Sequence, residues 1–99
     1  MALYRLTNKA VNDLSDIWTY TCETWSEQQA DKYYRALIEQ IEKLAKNPQI
    51  GKWYHEIFPE LIGYRINHHI IFYKTVSSKE IEVIRILHKK MDYKHRMLD

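Results

Sequence analysis

His88, Lys89 and Lys90 stand close in sequence to Tyr93, Lys94, His95 and Arg96. An imidazole can take or give a proton near neutral pH, and a phenol can serve as an acid. Lysine and arginine can stabilise a phosphorane. In principle this set could cleave RNA without a metal. The same cations, fixed at the end of a rigid strand, could equally hold an acidic partner or a phosphate backbone. Binding is the commoner use of such a cluster, and it is favoured over catalysis on the residues alone.

The other candidates are weaker. Arg65 and Tyr73 lie on neighbouring predicted strands, and Tyr73 is expected to pack within the sheet. His68 and His69 are adjacent, so on a strand their side chains would point to opposite faces. With no third ligand at a known spacing, they read as turn or surface histidines, and no metal site is expected. Asp13 with Asp16 and Glu39 with Glu42 lie three residues apart on predicted helices. They read as solvated faces rather than acid–base dyads. Cys22, the sole cysteine, excludes an internal disulfide and a cysteine-rich zinc site. It is expected to be a small core residue.

These side chains need a scaffold, and 99 residues suffice for one domain with its own core, assigned to 1–99. Three Trp, eight Tyr and two Phe against two Gly and two Pro argue against disorder. No leader-like apolar stretch follows Met1, and no apolar run approaches the roughly 20 residues that span a bilayer. A cytoplasmic location is therefore expected, with no membrane partner. Net charge is only +2, but it is unevenly placed. Residues 1–61 carry seven Lys/Arg against nine Asp/Glu; residues 62–99 carry eight against four. The C-terminal part is the electropositive one.

A short strand is predicted over Leu3, Tyr4, Arg5 and Leu6. Thr7 or Asn8 then caps a helix of about five turns, whose apolar stripe reads Val11, Leu14, Trp18, Thr21 and Trp25, with Ile17 alongside. Ser26 with Gln29 forms a capping box that starts a second helix almost at once. Its stripe is Ala30, Tyr33, Tyr34, Leu37, Ile41, Leu44 and Ala45. Lys43 and Lys46 favour its C-terminus, and Asn47-Pro48 ends it. Residues 49–59 read as an irregular but packed segment. Strands are predicted at 61–66, 69–76 and 81–87, turning at Asn67-His68 and at 77–79. The last is apolar on both faces, as a central strand would be. A final helical turn is expected within 92–99. The order β-α-α-β-β-β gives a two-layer α+β domain, a helix hairpin packed on an antiparallel sheet.

That order resembles the RelE/ParE toxin superfamily, and its ParE branch in particular. The resemblance covers essentially the whole chain. It is carried by Asn47, Pro48 and Gly51 after the second helix, Tyr64-Arg65, the strand through Ile70 and Tyr73, and Val83 to His88 followed by Lys90 and Asp92. It implies the toxin of a type II toxin–antitoxin pair, serving plasmid or chromosome stabilisation by inhibiting growth. ParE-like toxins inhibit DNA gyrase, trap it on cleaved DNA and are neutralised by a cognate antitoxin. RelE-like relatives cut mRNA in the ribosome. Against their nuclease set this chain carries Ile70 where an arginine is expected, and no tyrosine after Tyr93. The resemblance therefore implies gyrase as partner, with its DNA, and no catalytic residue, cofactor or small-molecule substrate. Arg65, Arg85, His88, Lys89, Lys90 and Tyr93 would meet the target, while the antitoxin would dock on the helix hairpin and sheet edge. An mRNA endonuclease, or an inactive toxin that only binds its antitoxin, are the alternatives.

Overall fold

A computed structural model describes residues 2–98; Met1 and Asp99, the last residue of the expected terminal turn, lie outside them. The first strand, β1 (Leu3–Leu6), leads into α1 (Asn8–Thr24) and α2 (Glu27–Lys46). A 3-10 turn at Pro48–Ile50 precedes β2 (Lys52–Trp53). Strands β3 (Ile62–Ile66), β4 (His69–Ser77) and β5 (Glu80–His88) follow, then a short helix, α3 (Tyr93–Leu98). The helix limits come from local chemistry. Thr7 accepts from the Ala10 N–H and Ser26 from the Gln29 N–H, each satisfying a donor the first turn leaves open. With only Trp25 and Ser26 between them, the two helices fold into a hairpin, crosslinked by Trp18 Nε1 donating to Asp31 Oδ1 at 2.9 Å.

The sheet order is β1-β5-β4-β3-β2. The apolar β5 therefore lies inside the sheet, as its sequence implied. The expectation of a purely antiparallel sheet fails at one place: β1 runs parallel to β5, pairing Leu3 with Glu80 and Leu6 with Val83. A parallel neighbour needs a long crossover, and the helix hairpin is part of it. The segment expected to be irregular contributes β2, which pairs Lys52 with Gly63 and Trp53 with Ile62. Strands β4 and β5 pair throughout, with register shifts at Phe72/Tyr73 and Thr75/Ser77.

Alternation along β4 divides the core in two. Ile71 and Tyr73 pack with Leu14, Leu37, Ile41, Leu44, Ile81, Val83 and Ile86 between sheet and helices. Ile70 and Phe72 pack with Leu61 and Leu87 on the opposite side, where Tyr54, Phe58, Tyr93 and Met97 cover them. The stripe predicted for α1 needs correction. Leu14 is buried, but Val11 is 48% and Trp25 75% exposed. The buried face is instead Ala10, Asp13 and Leu14, with Ile17 half-buried, so a carboxylate sits where the apolar count would not place one.

Beyond Val83, β5 has no β1 neighbour. Side chains from the start of the helical segment take over there. Thr7 Oγ1 donates to the Ile84 carbonyl at 2.7 Å, and Asp13 Oδ2 accepts the Ile86 N–H at 2.9 Å.

Candidate functional site

The end of β5 turns sharply into α3. Lys89 N–H donates to the His68 carbonyl at 2.8 Å, Met91 N–H to the His88 carbonyl at 3.0 Å, and Lys90 N–H to His88 Nδ1 at 3.1 Å. Lys89 is thereby tied to the β3–β4 turn, while the Lys90 side chain is exposed. In α3, Lys94, His95 and Arg96 are exposed, and Asp92 meets the His95 ring at 2.5 Å. Those hydrogen bonds hold the Asp92 carboxyl below its usual range. Arg65 is also exposed, with Nε donating to the Asn67 carbonyl at 3.3 Å. Among the described residues, no ion pair holds Lys89, Lys90, Lys94 or Arg65. The structure thus gathers an accessible cationic end from β3, the turn after β5, and α3.

Two of the predicted target residues lie in packed surroundings. Arg85 forks onto Asp13, with Nε to Oδ2 at 2.8 Å and Nη2 to Oδ1 at 2.9 Å, and its third arm, Nη1, donates to the Arg96 carbonyl at 2.6 Å. Their side chains are only 13% and 11% exposed. Arg85 is spent on the fold rather than offered as a surface cation, and Asp13 is not the solvated residue that its spacing from Asp16 suggested. Tyr93 is half-buried, its ring 5.4 Å from Phe72 and 6.2 Å from Tyr54, and it closes the outer core.

His88 lies with both members of the histidine pair. Its ring is 6.1 Å from His68 and nearly parallel, and 5.4 Å from His69 and edge-on. The expected opposition of His68 and His69 fails because His68 occupies the turn, where strand alternation does not apply; Asn67 supplies its positive φ of 52°. His69 Nδ1 lies 2.7 Å from the Tyr33 hydroxyl. Burial first, then the neighbouring imidazoles, pull the His69 pKa down to about 4, so its ring is neutral near pH 7. Burial likewise pushes Tyr33 up to about 12. These rings line a groove of about 560 Å³ whose other wall includes Tyr20 and Trp25. Among the described residues no group of three or more His, Cys, Asp or Glu is placed to hold a metal ion.

Sequence reasoning missed Asp13 and Tyr33. A signal for Asp13 existed: it shares a helix face with Ala10, Leu14 and Ile17, and Arg85 is the one cation within an otherwise apolar run of β5. Tyr33 carried no such mark, since its place in an apolar stripe accounted for it.

A family described as the ParE toxin of the type II toxin-antitoxin system, parDE, matches residues 4–93. The chain belongs to the ParE toxin family. Toxin ParE1 of Mycobacterium tuberculosis is 38% identical over 92 residues, covering 90% of this chain and 91% of that protein. Toxin ParE1 of Caulobacter vibrioides is 37% identical over 95 residues, covering 93% and 94%. The ParE match stops at Tyr93, so the described part of α3 extends past it. Among solved structures, a chain of the chromosomal ParDE system from P. aeruginosa superposes with a TM-score of 0.74 at 22% identity, covering 89% of this chain and 95% of its own. That likeness supports the α+β fold described above.

Proposed function

We propose that this ParE-family chain is a toxin that inhibits DNA gyrase by binding it, that it works in the cytoplasm, and that a cognate antitoxin neutralises it. The family match over residues 4–93 carries the reading. The arrangement of the cations is consistent with binding rather than chemistry. Arg65, Lys90 and Lys94 stand open to a polyanionic or acidic partner, with Lys89 half-buried beside them, while Arg85 and Tyr93 are committed to packing. The antitoxin docks on the helix hairpin and the sheet edge, where Val11, Tyr34 and Leu3 leave apolar surface exposed. Supercoiling by purified gyrase with rising amounts of the protein tests the target. Loss of supercoiling and accumulation of cleaved DNA are expected; unchanged supercoiling and no trapped cleavage would remove gyrase from the reading.

One observation favours a second reading. His68 and His88 stand nearly parallel beside a groove, and imidazole is the side chain most often used to move protons near neutral pH. Ribosome-dependent mRNA cleavage would appear as codon-positioned cuts in a translating extract, and intact message there excludes it. Unimpaired growth on controlled expression would leave only an inactive toxin that binds its antitoxin.

A further inference from the structure

We infer that Asp13 is a positioning residue: through Arg85 it sets the place of α3, and with it the cationic face that meets the target. The functional half of this inference rests on the reading above; the structural half does not.

Helix α3 has six residues, too few to hold helical form by its own hydrogen bonds. Its position must come from contacts with the rest of the chain. Tyr93 and Met97 seat one side on the outer core, and Asp92 receives the His95 N–H at the first turn. The Arg85 Nη1 bond to the Arg96 carbonyl reaches the end of the helix, where carbonyls have no helical partner. A guanidinium is planar, so fixing two of its edges fixes the direction of the third. Asp13 does that fixing, with one oxygen on Nε and the other on Nη2. Asp13 itself cannot drift. Its Oδ2 also accepts the Ile86 N–H, and its neighbours on α1 are buried in the main core. A continuous path of short bonds thus runs from the first helix, across the open edge of β5, to the last helix.

The path matters because of what α3 carries. Lys94 and Arg96 belong to it, and Lys89 and Lys90 lead directly into it. A loosened α3 disperses cations that the folded chain gathers at one end. It leaves the sheet and the helix hairpin, which are held by the main core, in place.

The test uses the full chain and two variants. Asp13→Asn keeps the size of the side chain but removes the charge that holds the fork. Arg85→Lys keeps a cation for Asp13 but gives up the planar third arm. Amide hydrogen exchange is read at Arg96 and Met97 and, as an internal reference, at Ile71 and Phe72 of β4. Both variants are expected to exchange tenfold or more faster in α3 with β4 unchanged, and to need about tenfold more protein for equal gyrase inhibition under conditions where they remain folded. Protection of α3 equal to the parent's in both variants overturns the inference. So does equal loss in α3 and β4, which would make the pair a general structural support. If Asp13→Asn does not fold, Arg85→Lys decides alone. Loosened α3 with undiminished inhibition overturns the functional half. A parent chain that leaves gyrase untouched refutes the earlier reading, while hydrogen exchange still decides the linkage between Asp13 and α3.

Discussion

His69 shows how one half-buried side chain makes stability depend on pH. Its pKa of about 4 in the folded chain lies below the ordinary value of about 6.5. The unfolded chain therefore binds a proton that the folded chain refuses. Stability from this residue is complete above pH 6.5 and falls as pH drops towards 4. Allowing for water at the partly open ring, the loss is on the order of 2 kcal/mol. Urea unfolding at pH 7.5 and pH 4.5 should show it, and His69→Gln should flatten that arm of the profile. The Tyr73 hydroxyl donates to the Pro48 carbonyl at 2.6 Å beneath the 3-10 turn. Tyr73→Phe should cost about 1 kcal/mol of unfolding free energy by chemical denaturation, since a partly buried carbonyl loses its donor. Tyr73 was legible as a sheet-packing residue because the apolar run Ile70, Ile71 and Phe72 leads straight into it. The roles of Asp13 and Arg85 were not, because charge in a sequence reads as surface until a partner 72 residues away is seen to neutralise it.

The helices were the most legible elements, and their ends explain why. Thr7, Ser26 and Asn47-Pro48 act through bonds to residues within one turn, so sequence proximity is spatial proximity. Ser26→Ala removes the acceptor for the Gln29 N–H at the hairpin's tight corner and should cost about 1 kcal/mol. Differential scanning calorimetry should register a fall of roughly 4–8 °C in the midpoint. The strands were legible as strands, but their partners were less so. Two-residue β2 is too short to leave a periodic pattern. The direction of β1 against β5 depends on where the helical crossover returns the chain, which no local residue encodes. The rotation of α1 was misread for a related reason: its buried face is chosen by the Asp13–Arg85 pair as well as by apolar area, so Val11 and Trp25 were left outside.

At the scale of the molecule, charge separation in sequence becomes charge separation in space. The exposed cations cluster where β5 runs into α3, while α1 and α2 carry seven of the acidic residues. Reversing the exposed Lys90 and Lys94 to Glu should weaken the proposed gyrase inhibition by tenfold or more, with parallel sensitivity of the parent to added salt. Unfolding free energy should change by less than about 0.5 kcal/mol, because exposed charges contribute little to stability. The sheet order has a separate consequence, for synthesis. β1 is made first, yet its strand neighbour is β5, which is made nearly last, and β4 awaits that same strand. An interior strand of the sheet is therefore the final strand delivered, at a pace of roughly 5–20 residues per second in translation. A chain ending at Lys79 lacks the strand that joins both sides, and it should show no cooperative unfolding transition by circular dichroism. Broken or abandoned messages then yield no folded fragment, and the harm a finished chain can do begins only when its message has been read almost to the end.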